Sequence, residues 1–182
     1  MAEDQHQWLA RLKKRDEEAI GDLVRDHATP IRRYLAGLLR SEADAEDLAQ
    51  DTLVRFLDGL DAFRGDCSVK TYLFRIAHNL ALNHLASAPV TREVAREELP
   101  EAPDGLRPPV DAAMWSEAGE SLRRALGDLP PQQRAVVILR TWQDLSFREI
   151  GEVLSVAEGT AKAHYFFGLR NLRKRLEVTH VA

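Results

Sequence analysis

Three carboxylates in the amino-terminal half could share one face of a helix and so bind a metal or move protons. Asp44, Asp47 and Asp51 stand at i, i+3 and i+7, a spacing that brings side chains to the same side of a helix. A carboxylate-bridged metal centre in a helical bundle also uses Glu-x-x-His pairs, and the pair Glu3–His6 falls at a terminus that frays. We therefore expect no carboxylate-bridged metal centre and no cofactor. Taken alone, such a stripe is usually solvated surface.

A second group of side chains, between positions 63 and 79, has the chemistry of a surface for unpaired bases. Aromatic rings stack on bases, and basic residues follow the phosphate backbone. The group comprises Phe63, Arg64, Lys70, Tyr72, Phe74, Arg75, His78 and Asn79. Tyr72 and Phe74 could instead belong to a hydrophobic core. For Tyr72 both interpretations stay open, since Ile76 and Leu80 share its helix face.

A third group, near the carboxyl terminus, has the pattern of a helix-turn-helix. Ser146-Phe147-Arg148-Glu149 reads as a capping box that begins a short helix ending near Leu154. A turn and a longer basic helix from about Glu158 follow, so the second helix would enter the major groove. Its positions free to meet DNA are Glu158, Thr160, Lys162, Ala163 and His164, with Arg170 further along for phosphates. The alternative is a helical hairpin with a solvated basic end.

Helices must position all three groups, because no segment alternates apolar and polar residues convincingly enough for a strand. In the amino-terminal half, Asp16, Ser41 and Ser68 are predicted helix caps, and Pro30 is predicted to begin a helix of its own. In the carboxyl-terminal half, a helix capped by Asp111 is predicted to end near Gly127. The next helix is predicted to begin at the proline pair 130–131.

A proline-rich acidic stretch separates these two halves. Five of the eight prolines lie between Pro89 and Pro109, which excludes one continuous helix there. We predict an all-α protein of two small helical domains joined by this linker. The amino-terminal domain covers residues 1–88, the linker 89–110, and the carboxyl-terminal domain, which contains the helix-turn-helix, 111–182.

Charge is distributed unevenly along the chain, whose net charge is −4. Residues 121–182 carry 10 Lys/Arg and 6 Asp/Glu, whereas residues 91–120 carry 3 and 8. Because phosphate attraction dominates non-specific DNA binding, we expect weak DNA binding by the chain alone and a partner that adds to it. The single Cys67 excludes an internal disulfide. No signal peptide or membrane-length apolar run is present, so we expect a cytoplasmic location.

The two halves resemble two domains of one family. The segment LPPQQRAVVILR…LSFREIGEVLSVAEGTAKAH is similar to domain four of extracytoplasmic-function (ECF) RNA polymerase sigma factors. DAEDLAQDTLVRFL and FRGDCSVKTYLFRIAHNLALNHL are similar to the polymerase-gripping helix and the promoter-melting segment of domain two. The matches stand in the family's order on either side of the linker. The resemblance implies a factor that binds core RNA polymerase and directs promoter-specific initiation, with no enzymatic activity.

The resemblance also implies partners and site residues. The helix face that carries Asp47 would dock on the clamp of the largest polymerase subunit, and domain four on the flap of the second-largest. The clamp-facing residues are Asp44, Asp47, Leu48, Gln50, Asp51 and Arg55. The loop from Arg64 through Asp66 to Ser68 would hold a flipped-out base of the downstream (minus-ten) element. Promoter DNA and an anti-sigma factor are the further partners expected.

Several positions depart from the family's usual pattern. Tyr72 stands for tryptophan, and Phe167 stands where arginine is common in the helix that would read the upstream (minus-thirty-five) element. For the pair Phe166–Phe167 we expect one ring to pack against the preceding helices and the other to meet a protein partner. Two other functions stay open: a free-standing helix-turn-helix regulator, tested by operator binding without polymerase, and an all-helical enzyme, tested by bound metal or turnover.

Overall fold

The computed structural model describes residues 2–39, 41–87 and 117–179. These ranges form α-helices and one 3₁₀ turn, with no strand among them. The predicted linker at 89–110 and the predicted cap Asp111 lie outside the described residues. Within the described ranges, the all-α prediction is confirmed.

The amino-terminal domain is built on one long helix. Its helices are α1 (Ala2–Lys13), α2 (Glu17–Leu38), α3 (Glu42–Asp58) and α4 (Val69–Ser87), with a 3₁₀ turn at Leu60–Ala62 between α3 and α4. Helices α2, α3 and α4 pack against one another. Their apolar faces bury Leu23, Ile31, Tyr34, Leu35, Phe56, Leu73 and Phe74. The apolar residues of these faces recur at helical spacing, as the sequence predicts.

The three predicted caps of this domain are confirmed. The Asp16 carboxylate accepts a hydrogen bond from the backbone N–H of Ala19 at 2.9 Å. The Ser41 hydroxyl accepts one from Asp44 at 3.2 Å, and the Ser68 hydroxyl one from Thr71 at 3.0 Å. Each hydrogen bond satisfies a backbone donor that the first helical turn leaves without a partner.

Pro30 differs from its prediction, because it lies inside α2 instead of beginning a new helix. A proline in a helix interior removes one backbone hydrogen bond and favours a bend. The helix nevertheless continues, since Ile31, Tyr34 and Leu35 beyond the proline are buried on the same side as Leu23. Tertiary packing of this face outweighs the local preference of one residue.

The carboxyl-terminal domain comprises α5 (Glu117–Gly127), α6 (Pro131–Trp142), α7 (Phe147–Leu154) and α8 (Glu158–Thr179). The predicted helix ends at Gly127 and Leu154 and the proline start of α6 are confirmed. Helix α8 packs on α6, and Gly168 allows the close approach. A Cβ atom at this position would lie 2.7 Å from Val137 Cγ2 and 3.3 Å from the Gln133 carbonyl oxygen.

The two domains pack against each other through α2 with α6 and α4 with α7. Arg134 donates hydrogen bonds to the carbonyl oxygens of Leu38 in one domain and Leu129 in the other, both at 3.1 Å. Ile138 lies directly over Gly37, where a Cβ atom would be 2.6 Å from the Ile138 Cδ1 atom. The buried apolar residues of both domains therefore form one continuous core.

Candidate nucleic-acid interface

The loop between the 3₁₀ turn and α4 is held at both ends and exposed in the middle. At one end, Lys13 of α1 donates a hydrogen bond to the Phe63 carbonyl oxygen at 3.1 Å. At the other end, the Ser68 hydroxyl caps α4. Arg64, Gly65 and Asp66 between them are exposed, and Gly65 adopts a left-handed φ of 81°. The sequence does not predict the role of Lys13, because nothing local links positions 13 and 63.

Aromatic rings support this loop from beneath. Phe63 is buried, with its ring centroid 6.0 Å from that of Phe56 and 5.0 Å from that of Tyr72. Tyr72 is half-buried, and the Arg75 guanidinium carbon lies 4.8 Å from its ring centroid. Phe63 therefore braces the loop, whereas Tyr72 is partly core and partly accessible. Phe74, in contrast, is 1% exposed and belongs to the core.

Like Phe63, His78 is a predicted DNA contact that the structure places in the interior. Its ring is 4% exposed, and Nδ1 is 2.9 Å from the hydroxyl oxygen of buried Tyr34. Burial lowers the pKa of His78 to about 4 and raises the pKa of Tyr34. The alternation of exposed and buried positions along α4 turns position 78 inward, while neighbouring Asn79 is exposed. His78 is a core residue and not part of the surface.

The acidic surface of α3 is open along most of its length. Asp47, Gln50, Asp51 and Arg55 are exposed, and an Asp51–Arg55 ion pair spans 3.7 Å. Leu48 is half-buried and packs against the core. Asp44 differs from the others, because its carboxylate lies 3.2 Å from Nε2 of His84 on α4. Metal-binding clusters of three or more His, Cys, Asp or Glu side chains are absent from the described part of the chain.

The predicted helix-turn-helix is present in α7 and α8. The Ser146 hydroxyl accepts a hydrogen bond from the Glu149 N–H at 3.2 Å, and the Glu149 carboxylate accepts one from the Ser146 N–H at 2.8 Å. This reciprocal capping box is the one predicted. Ser155 ends α7 in the left-handed conformation, with φ 57°. Buried Ile150 and Ala161 then join the two helices.

The amino-terminal turns of α8 present polar side chains to solvent. Glu158, Thr160, Lys162 and Ala163 are exposed, and His164 is half-buried. The Lys162 amine lies 2.9 Å from the Glu158 carboxylate.

Further along α8, Arg170 is exposed, with its guanidinium carbon 5.4 Å from the Phe167 ring centroid. Phe166 and Phe167 are 65% and 49% exposed. The expectation that one of these two rings packs on the preceding helices is therefore wrong.

The two candidate surfaces meet where the domains touch. Lys70 donates a hydrogen bond to the Gln143 carbonyl oxygen, and Thr71 donates one to the Glu149 carboxylate at 3.3 Å. Burial opposes ionisation of Glu149, but the hydrogen bonds from Ser146 and Thr71 and the nearby Lys70 charge outweigh it and lower the pKa of Glu149. In this conformation, domain four covers part of the predicted downstream-element surface.

The fold and these surfaces define a two-domain helical protein with a capped helix-turn-helix, a protein–DNA recognition module. The model for Sigma-70 region 2 matches residues 23–89, and the model for Sigma-70, region 4 matches residues 119–172. None of the described helices combines the length and apolar character that a membrane span needs.

Curated relatives match across both domains. The ECF RNA polymerase sigma factor SigW of Bacillus subtilis is 30% identical over 177 residues, covering 92% of this chain and 94% of that protein. The RNA polymerase sigma factor YlaC of the same organism is 36% identical over 150 residues, covering 79% and 82%. The chain therefore belongs to the ECF family of RNA polymerase sigma factors. It directs promoter-specific transcription initiation and is not an enzyme.

Two solved structures share the fold at 21% identity. CnrH, solved in complex with the cytosolic domain of CnrY, superposes with a TM-score of 0.72 and covers 96% of this chain and 97% of that one. RpoE from Bartonella quintana, solved with the anti-sigma factor NepR, superposes with a TM-score of 0.66, covering 87% and 96%.

Proposed function

We propose that each of the two domains binds one subunit of the polymerase and one element of the promoter. Domain two docks on the clamp of the largest subunit and captures the downstream element. Domain four docks on the flap of the second-largest subunit and reads the upstream element. Residues 1–88 and 111–182 are the proposed extents of these domains. The proposed location is the cytoplasm, where RNA polymerase works.

The proposed clamp-binding surface is the exposed face of α3. It comprises Asp44, Asp47, Leu48, Gln50, Asp51 and Arg55. Support comes from the exposure of Asp47, Gln50 and Asp51, which leaves their polar groups available to a protein partner. Asp44 contributes less directly, because His84 already contacts its carboxylate.

The proposed downstream-element surface is the loop 63–68 with the first turns of α4. It comprises Arg64, Asp66, Lys70, Tyr72, Arg75 and Asn79, with Phe63 as the support beneath. The loop itself carries this proposal: both of its ends are fixed by hydrogen bonds while Arg64 and Asp66 at its tip remain exposed. A flipped base requires such a preformed site with polar groups to read its edge.

The proposed upstream-element surface lies on α8. Glu158, Thr160, Lys162, Ala163 and His164 face the base edges, while Phe167 and Arg170 lie beside the DNA backbone. Support comes from the end of α7, where left-handed Ser155 and the buried residues Ile150 and Ala161 fix the angle at which α8 leaves the turn. An anti-sigma factor is a further proposed partner, since RpoE, which shares the fold, was solved with one.

Co-purification with catalytically competent core RNA polymerase tests the clamp-binding surface. The Asp47→Arg, Gln50→Ala variant changes two exposed side chains and should lose binding, because an arginine replaces an acidic group at the interface. Asp26→Arg on α2 is the matched control, since it makes the same charge change at an exposed position outside the surface. Binding by the variant equal to wild type would exclude this surface. Failure of the wild type to bind, combined with solo operator binding, would favour the free-standing regulator.

A further inference from the structure

The basic residues of domain two fall into two groups that differ in their partners. Arg11, Arg25, Arg32 and Arg55 each lie within 4 Å of at least one carboxylate. Among the described residues, six lysines and arginines of this domain have no carboxylate within 4 Å. They are Lys13, Lys14, Arg15, Arg64, Lys70 and Arg75. Domain two carries more acidic than basic residues, so a group of cations without carboxylate partners is not a consequence of composition.

Three of these six residues already belong to the proposed downstream-element surface. Arg64 is in the loop, and Lys70 and Arg75 are in the first turns of α4. The other three follow one another at the end of α1, outside every binding surface proposed so far. The hydrogen bond from Lys13 to the Phe63 carbonyl oxygen joins this end of α1 directly to the loop. The end of α1 therefore lies beside the loop that carries Arg64.

The turn after α1 has a defined backbone conformation. The Arg15 N–H donates to the Leu12 carbonyl oxygen at 2.9 Å, and the Asp16 N–H donates to the Arg11 carbonyl oxygen at 3.1 Å. This pair of bonds closes the helix with Arg15 in the left-handed conformation, at φ 59°, where glycine is the usual residue. Asp16 also accepts a hydrogen bond from Arg11 at 2.8 Å and caps α2. An arginine at a glycine position points to a use for its charge.

We propose that Lys14 and Arg15 contact the phosphodiester backbone of promoter DNA beside the base held by the loop 63–68, and that Lys13 anchors the two segments to each other. The proposal rests on the assignment of that loop to the downstream element. Cations at the end of a helix also complement its dipole. A contact with DNA phosphates and a role in stabilising the helix dipole lead to different predictions, because only the phosphate contact makes DNA binding depend on salt.

The test measures how promoter affinity of the holoenzyme depends on salt. The probe is a promoter fragment that the wild-type holoenzyme selects from genomic DNA. The variant is Lys14→Gln, Arg15→Gly in the full chain, in which glycine suits the left-handed φ, so the free energy of unfolding should not fall. The slope of log affinity against log salt should become shallower by about 0.7–0.9 for each phosphate that the variant no longer neutralises. Arg25→Gln, which removes one charge from a carboxylate-paired arginine of the same domain, is the control, and the changes in slope are compared per charge removed.

The outcomes separate this inference from the function on which it rests. An unchanged slope for the variant, with weaker promoter opening by Arg64→Ala, overturns the inference and leaves the loop assignment standing. Equal decreases in slope per charge removed, for the variant and for Arg25→Gln, also overturn it, because net charge would then explain both. If Arg64→Ala opens the promoter as wild type does, the loop assignment fails. If the double variant does not fold, Lys14→Gln alone, at an exposed position, carries the same comparison.

Discussion

At the scale of single residues, burial decides what His78 can do. In the sequence, this imidazole stands among aromatic and basic residues, a setting that suits a DNA contact as well as a core position. The structure encloses the ring, so it hydrogen-bonds Tyr34 instead of meeting solvent. Cys67 follows the same logic, because burial raises the pKa of its thiol and disfavours the reactive thiolate. Neither outcome could be read from spacing, since both depend on which face of the structure the neighbouring helices cover.

His78 should make the free energy of unfolding depend on pH. The unfolded chain protonates this imidazole below pH 6.5 and the folded chain only near pH 4, so protonation favours unfolding between these values. Acidification across this window should cost roughly 3 kcal/mol. Urea unfolding between pH 7 and pH 4.5 should show a flatter dependence for His78→Gln than for wild type. The His78→Gln variant should keep a residual pH dependence, because burial lowers the pKa of His27 too.

A second histidine provides the control for this measurement. His164→Gln makes the same substitution at a half-buried imidazole of α8, so a slope that changes only for His78→Gln assigns the pH dependence to position 78. Equal slopes for His78→Gln and wild type would mean that His78 is not protected from protonation in the folded state.

At the scale of elements, local signals predicted where helices begin and tertiary contacts decided how they continue. Ser41, Ser68 and Ser146 cap helices as predicted, because capping involves residues only three positions apart. Pro30 was misjudged, since the burial that carries α2 through it comes from α3 and α4. Lys13 was missed for the same reason: its partner lies 50 positions away.

Two glycines in helix interiors should respond oppositely to the same substitution. Gly168→Leu inserts a side chain where a Cβ atom already meets Val137 and the Gln133 carbonyl, and it should destabilise the protein by about 1–3 kcal/mol. Gly21→Leu in exposed α2 meets nothing within 4 Å, so better helix propensity should stabilise the protein by about 0.5–1 kcal/mol. Chemical denaturation measures both. A neutral Gly168→Leu would show that α6 and α8 do not approach as closely as described.

At the scale of the whole molecule, the sequence predicted two domains but not their contact. The hydrogen bonds between the domains join residues 73, 78 and 96 positions apart, and no periodicity reports on such pairs. The family resemblance supplied the order and role of the domains. It did not indicate that Lys70 and Thr71 would contact the capping segment of α7. The Lys70 amine points at the Gln143 carbonyl oxygen in this conformation, so it must leave that oxygen before it can contact promoter DNA.

The domains should therefore separate when the chain joins polymerase. Dyes at Arg25→Cys on α2 and Arg173→Cys on α8, both exposed, would report the distance between domains in a Cys67→Ser background. Energy transfer should fall on addition of core polymerase, because the proposed downstream-element surface includes Lys70, which domain four covers in this conformation. A pair within domain two, Arg25→Cys with Asp58→Cys, should keep its energy transfer. Unchanged transfer between the domains in a transcribing holoenzyme would mean that Lys70 does not bind the promoter and that the packed arrangement is itself the active one.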